Sequence, residues 1–324
     1  MYTLAEAQKL IEEHIQNLSI PDTPPELYEP VRYILSLGGK RIRPALVLLA
    51  CDLFAGAVEP ALIPAMAIEI FHNFTLLHDD IMDRSEKRRG SPAVHVKYNE
   101  NVAILSGDVM SILASRLMNN APAAVLNVVQ DVFTRTAMQV CEGQQLDMNF
   151  EGLSSVTEDA YLNMIELKTA VLIAASLKIG AILGGSSLRD AEDLYQFGKN
   201  MGMAFQLQDD LLDTYGDPSM IGKNVGTDIV DNKKTFLVIQ ALKAASASQR
   251  EELIGLFESK DVDRDEKIRR VTSIFSELNV RETTEKRIKD YYKLAITSLE
   301  NLNRPEDRKT ELYNFASFLM NRNR

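Results

Sequence analysis

The sequence predicts an all-α protein built as one domain over residues 1–324. Apolar residues recur at helical spacing along nearly the whole chain, and no stretch keeps the two-residue alternation of a half-buried strand bounded by hairpin turns. Glycine and proline gather at the ends of the helical runs. With 45% hydrophobic and 25% charged residues, the chain can bury a large core.

The predicted helices follow in order. Leu4 to Asn17 is amphipathic and stops before Pro21, Pro24 and Pro25, and Leu27 to Leu37 ends at Gly38-Gly39. The stretch KRIRP follows, with Pro44 at the first turn of a helix over Ala45 to Phe54. Ala61 to Asp83 is apolar on nearly every side, the pattern of a buried segment. Val102 to Met118, Ala123 to Leu146 and Ala160 to Leu183 come next, and Gly198 to Thr214 breaks at Gly216-Asp217-Pro218. Thr235 to Ala245, Asp265 to Leu278, Arg281 to Leu302 and Glu306 to Asn321 complete the set. Val225 to Ile229 is too short and too glycine-flanked to be a strand.

A net charge of −10 disfavours DNA, RNA or anionic lipid as partner, so basic clusters in this chain mark local anion sites. Cys51 and Cys141 lack ligand spacing and read as small buried hydrophobes. The acidic, amphipathic N-terminus is no signal peptide. Pro44, Pro60, Pro64, Lys178 and the glycines interrupt the apolar runs before the roughly 20 residues of a membrane span. The expectation is a cytoplasmic protein with no transmembrane segment.

The chemistry concentrates in FHNFTLLHDDIMDRSEKRR, residues 71–89. Asp79 and Asp83 are four residues apart and share a helix face, while Asp80 points about 100° away. An isolated DDxxD is usually a solvated face, but carboxylates in an apolar helix need protons, basic partners or a metal. His72 lies close to two turns before Asp79, placed either to donate to a phosphate oxygen or to be a satisfied core side chain. His78 is assigned a structural place, and His14 and His95 no role. Arg88 and Arg89 follow at the mouth, fitted to bind two anionic tails or simply to line a solvated loop. Lys40, Arg41 and Arg43, at a glycine turn beside a helix start, suit a phosphate or diphosphate, although a solvated loop accounts for them as well. Lys168, among Leu167, Ala170, Val171 and Leu172, either meets a buried anion or snorkels to the surface.

The pattern then recurs: FQLQDDLLD sets Asp209, Asp210 and Asp213 at the same spacing, with Gln206 one turn before Asp209. A loop offering Lys223, Asp228, Lys233 and Lys234 follows. Two groups of hard oxygen ligands suit Mg2+, which prefers one or two carboxylates plus phosphate oxygens. With Arg88, Lys168, Lys223 and Lys233 neutralising the remaining charge, diphosphate becomes a good leaving group. No nucleophilic serine or cysteine arrangement competes, so the inventory is most consistent with metal-assisted ionisation of an allylic diphosphate in a dry apolar enclosure.

GGKRIRP, FHNFTLLHDDIMD with its RR, LKTA, FQLQDDLLD, GK and KKT, in this order and at these distances, resemble the trans-isoprenyl diphosphate synthases of the polyprenyl synthetase family. The resemblance covers nearly the whole chain and implies a bundle of long helices around a central cavity. It implies that Asp79 and Asp83 bind Mg2+, with Asp80 at one remove, and that Asp209 binds a further ion with Asp213 assisting, about three ions in all. Arg88, Lys168, Thr169, Gln206, Lys223 and Lys233 resemble the residues that hold the allylic diphosphate, and Lys40, Arg43, His72 and Arg89 those that hold isopentenyl diphosphate. Catalysis is thereby assigned to Asp79, Asp83, Lys168 and Asp209. The implied reaction is head-to-tail condensation with the released diphosphate as base, and the implied assembly is a homodimer.

One residue departs from the pattern: Asn232 stands where the family commonly has glycine before Lys233, and Asn tolerates the left-handed conformation better than most residues. Phe74 and Phe71 lie roughly 7.5 and 12 Å upstream of Asp79 along the helix axis, placed to floor the growing chain or simply to fill the core. With Phe74 there and no insertion in DDIMD, a C20 product is favoured over C15. A terpene cyclase would usually mix Asn, Ser and Glu into its second motif, and a non-catalytic prenyl-diphosphate-binding subunit would be expected to have lost one aspartate set. Both sets are intact here.

Overall fold

The structure, a computed structural model, describes residues 2–216, 225–259 and 262–320. Lys223, one of the expected substrate-binding residues, lies outside them. The all-α expectation holds. The helices are α1 (Leu4–Gln16), α2 (Pro25–Ser36), α3 (Ile42–Ala55), α4 (Glu59–Met82), α5 (Val94–Lys97), α6 (Glu100–Met118), α7 (Leu126–Glu151), α8 (Glu158–Ile165), α9 (Val171–Leu183) and α10 (Leu188–Tyr215). After these come α11 (Thr227–Val230), α12 (Phe236–Ala244), α13 (Ala247–Glu258), α14 (Arg264–Glu277), α15 (Val280–Glu300) and α16 (Glu306–Met320).

Two compact units are distinguished. The first comprises Met1–Arg135, Ala175–Tyr195 and Leu302–Leu312, the second Thr136–Ala174, Gln196–Asn301 and Tyr313–Arg324. In the first, α3 packs against α1 and α4, and α4 against α6. Every residue from Ala45 to Cys51 is fully buried, and α4 adds Ile68, Ile70, Phe71 and Leu77 to this core. A Thr3 capping box starts α1, and the Asn99 side chain accepts from Val102 N to start α6. In the second unit Tyr161, Met164, Met203, Leu207, Phe236 and Phe275 belong to one apolar cluster.

Three expectations change. The basic stretch after α4 is no open loop: Lys87–Arg88 pairs antiparallel with Ser91–Pro92. Its two-residue turn has φ of 54° at Arg89 and 80° at Gly90, the doubly positive pattern that matches strand twist. The run from Ala160 to Leu183 is interrupted by a π-helical turn over Glu166–Ala170. The helix expected from Gly198 instead begins at Leu188, because a mid-helix glycine costs only about 1 kcal/mol and the fully buried Phe197 and Met201 outweigh it.

The reading of the apolar runs also needs correction. By length and composition α4 and α6 are each sufficient to cross a membrane. Pro60 falls in the first turn of α4, where its missing N–H has no partner to lose, and Pro64 is accommodated inside the helix. Of the most apolar window of α4, 61% is buried within the protein.

Candidate active site

In the first unit, α4 ends at Met82 with Arg84 in the left-handed conformation at φ 51°. Arg84 N donates to Ile81 O and Ser85 N to Asp80 O, so the end of the helix is closed by backbone bonds. The three aspartates diverge as their spacing predicts. Asp80 is 1% exposed, and Arg88 donates to it from both Nε and Nη2. Burial raises the Asp80 carboxyl pKa while Arg88 opposes the rise. Asp79 and Asp83 stay more open, and Arg88 Nη2 lies 4.0 Å from Asp79. Part of the cation that the aspartates need is therefore Arg88 itself.

The cations beside the glycine turn divide. Arg41 sits at φ 45°, and its guanidinium turns inward to Glu12 (2.8 Å), Glu69 (2.6 Å) and the carbonyl of Leu35 (2.8 Å). It is therefore a strut and not an anion ligand, a correction to the reading of three cations at one anion site. Lys40 is exposed, and its carbonyl accepts from Gln8. Arg43 donates to His72 Nε2 at 3.1 Å. Because a guanidinium only donates, Nε2 accepts and the ring hydrogen is on Nδ1. Burial, then the charges of Arg43 and Arg89, hold the His72 pKa well below its ordinary value, so the ring is neutral. Arg89 donates to Gly38 O and, at 3.4 Å, to Asn73 Oδ1. Its guanidinium lies flat on Gly39, where any Cβ would come within 2.8 Å of Cζ. Arg43, His72 and Arg89 thus belong to one cluster bordered by the glycine turn.

Glu69 and Asn73 were missed by the sequence reading. Asn73 is fully buried and donates to Glu69 Oε1 at 2.9 Å, so one chain of contacts runs Arg41, Glu69, Asn73, Arg89. Their four-residue spacing in an apolar helix was the available signal. Phe71, 3% exposed, contacts Phe74 and Phe133, each with ring centroids 5.5 Å apart, and Phe74 meets the His78 ring at 4.8 Å. His78 Nε2 reaches Ile104 O at 3.1 Å, consistent with a structural place.

In the second unit the middle aspartate is again buried. Asp210 is 3% exposed and accepts from Tyr161 Oη and from Gln206 Nε2 at 3.2 Å. Burial, with Asp228 adding, pushes its pKa up to about 7. Gln206 accepts from Thr169 at 3.0 Å, so its ties run to Asp210 and Thr169. Of the two alternatives for Lys168, the ammonium meets an anion, donating to Asp147 at 2.6 Å. Lys168 and Thr169 both lie in the π turn, and this turn needs room. A Cβ at Gly143 of α7 would overlap the backbone of Leu167 and Lys168, and one at Gly202 of α10 would come 2.6 Å from Ala170 Cα.

Asp209 is half-buried. Asp213 accepts the N–H of Asp228 at 2.9 Å, and its own carbonyl accepts from Gly226 at 2.6 Å, so it also anchors the loop. Burial pushes the Asp228 pKa up to about 6, and Lys233 Nζ stands 3.7 Å away. Asn232 takes φ 58°, as the sequence anticipates for an asparagine in a glycine's place. Asp147, Tyr161 and Asp228 are the participants that sequence left unassigned, and only Asp228, inside the charged loop, carried a signal.

Among the described residues no three acidic, histidine or cysteine side chains gather into a ready-made metal centre. Outer carboxylates four residues apart and only partly buried do fit Mg2+, which draws its remaining ligands from phosphate and water. They do not fit a structural zinc, which needs four protein ligands.

Residues 24–275 match the polyprenyl synthetase family. The chain belongs to that family. It is 47% identical to the geranylgeranyl diphosphate synthase of Methanosarcina mazei over 223 residues, 68% of each chain. It is 38% identical to the short chain isoprenyl diphosphate synthase of Methanothermobacter thermautotrophicus over 323 residues, covering 99% of this chain and 98% of that one. Among solved structures, a geranylgeranyl pyrophosphate synthase superposes with a TM-score of 0.95 at 40% identity over the full length of both chains. Membership makes this polyprenyl synthetase a prenyltransferase of isoprenoid biosynthesis.

Proposed function

We propose that the protein condenses isopentenyl diphosphate head to tail with dimethylallyl, geranyl or farnesyl diphosphate, giving a linear all-trans prenyl diphosphate, C20 in preference to C15. The observation that carries this reading is one arrangement made twice. In each aspartate set the middle carboxylate is buried against protein donors while the outer two stay less buried, with Arg88 4.0 Å from Asp79 in the first set and the charge of Lys233 acting on Asp213 in the second. Mg2+ held by Asp79, Asp83, Asp209 and Asp213, about three ions, supplies the charge that turns diphosphate into a leaving group.

The protein's own groups do the rest. Arg88, Lys168, Thr169, Gln206, Lys223 and Lys233 hold the allylic diphosphate, while Lys40, Arg43, His72 and Arg89 hold isopentenyl diphosphate. The allylic C1–O bond breaks with its electron pair leaving on diphosphate. The alkene pair of isopentenyl diphosphate attacks C1, and the proton lost from its C2 passes to the released diphosphate. No side chain is needed as base. The names of the relatives support C20, and the Phe71, Phe74 and Phe133 cluster supplies an apolar wall near Asp79. The cytoplasm is the place of action on this reading, with most of the apolar window of α4 buried inside the protein.

With Mg2+ and farnesyl diphosphate, the purified protein will release one diphosphate for each isopentenyl diphosphate consumed and make a C20 product. Release without isopentenyl diphosphate, or a cyclic product, refutes the proposal. Phe74→Ala will shift the products to longer chains by mass analysis, and an unchanged profile removes Phe74 as the floor. The working form is a homodimer: on α6, Leu105 and Ile112 share a face at 59% and 66% exposure, an apolar stripe suited to a second copy. Light scattering should give twice 36.3 kDa, and a monomeric mass would refute the dimer.

A further inference from the structure

Asn232 makes a contact for which glycine has no atoms. It occupies the left-handed position just after α11, with Asn232 N donating to Ile229 O at 3.3 Å and Lys233 N to Asp228 O at 2.9 Å. Its Oδ1 accepts a 2.5 Å hydrogen bond from the ammonium of Lys267 on α14. Lys267 is 5% exposed, its ammonium also lies over the Phe257 ring at 5.3 Å, a ring that Lys234 meets at 5.8 Å, and the charges of Lys234 and Asp231 act on it as well. Asn232 therefore supplies the acceptor for a buried cation, which is costly to leave unsatisfied. The Asn232 carbonyl in turn accepts from Lys234 at 3.0 Å.

The same helix grips the start of the segment. Gly226 lies so close to Ile268 that a Cβ there would stand 2.7 Å from Cδ1. Lys267 and Ile268 are adjacent, so two neighbouring residues of α14 fix the two ends of the stretch from Gly226 to Asn232. Lys233, next in the chain, projects its ammonium from that fixed end to within 3.7 Å of Asp228.

We propose that Lys267 and Asn232 form a positioning pair that sets where Lys233 presents its charge to the allylic diphosphate. The inference rests on the reading of Lys233 as a ligand of that diphosphate. It inverts what conformation alone predicts. Glycine is the residue best suited to φ 58°, so a purely conformational role makes Asn232→Gly neutral or beneficial. A role through the side chain makes the same substitution harmful.

The test measures kcat and both KM values, with melting temperatures, for Lys233→Gln, Asn232→Gly, Asn232→Asp, Lys267→Met, Lys267→Arg and the double variant Lys233→Gln/Lys267→Met. Asn232→Gly and Lys267→Met should each raise KM for the allylic diphosphate about tenfold, with kcat and KM for isopentenyl diphosphate within about twofold of the parent. Asn232→Asp and Lys267→Arg keep an acceptor and a donor and should restore the parent value. Once Lys233 is glutamine, Lys267→Met should add nothing further. A parent-like allylic KM in Asn232→Gly, while Lys233→Gln raises it, overturns the pair and leaves Lys233 as ligand. An unchanged KM in Lys233→Gln overturns the role of Lys233 and the pairing with it. Parallel loss of both KM values, kcat and melting temperature would mark a merely structural contact and also overturn the proposal.

Discussion

Asp79→Asn and Asp209→Asn will each lower kcat/KM by about a thousandfold, an effect of about 4 kcal/mol on the barrier. Neither side chain is locked into the core as Asp80 and Asp210 are, so the loss should appear in rate and not in folding. Removing one of several crowded carboxylates also relieves like-charge repulsion, and the melting temperature of both variants should equal or exceed that of the parent. Asp80→Asn provides the contrast. Its carboxylate, 1% exposed, accepts from two nitrogens of Arg88, so the amide costs stability as well as activity. Steady-state kinetics beside thermal melts separate the two cases. Retention of more than a tenth of parent activity in Asp79→Asn would remove it from the ionisation step.

Glu69→Leu will destabilise the protein by about 3–5 kcal/mol, the cost of leaving a buried partner charge uncompensated. Glu69 is 2% exposed and the Arg41 side chain 2%, with 2.6 Å between them. Glu12 still reaches Arg41 from a more exposed position, which keeps the effect from being larger. Asn73 loses the acceptor at Oε1 and, through it, Arg89 loses support. Chemical denaturation should therefore show a lower midpoint, and residual enzyme should show a raised KM for isopentenyl diphosphate. A midpoint within 1 M of the parent in urea, at the ordinary slope of about 1–3 kcal/mol per molar, would place the loss below that range.

The outer shape of the site was legible because its chemistry is local. Four-residue spacing put Asp79 and Asp83 on one face and sent Asp80 to another, and the apolar surroundings of Lys168 called for either a buried anion or snorkelling to the surface. Those inferences need only helical geometry and the cost of burying charge. The identity of the partners was not legible, because it depends on contacts between distant stretches. Nothing near Lys168 in sequence names Asp147, and nothing near Asp210 names Tyr161. The π turn was hidden for the same reason: its signal is Gly143 and Gly202 on two other helices, not a breaker within Glu166–Ala170. The inward turn of Arg41 was not legible either, because charge in a glycine-rich stretch does not reveal direction, and its partners Glu12 and Glu69 lie on other helices. Asn232 was understood as a backbone choice, and only the structure adds the bond from Lys267.

On the proposed function, the two aspartate sets serve one metal–diphosphate group. This is tested most directly by binding of an allylic thiolodiphosphate, whose C–S bond resists ionisation, titrated with and without Mg2+ by calorimetry. The parent should bind in a Mg2+-dependent manner, Asp79→Asn and Asp209→Asn should each lose most of that dependence, and the double variant should lose little more. Losses that add as independent free energies, or binding that is as tight without Mg2+, would contradict it.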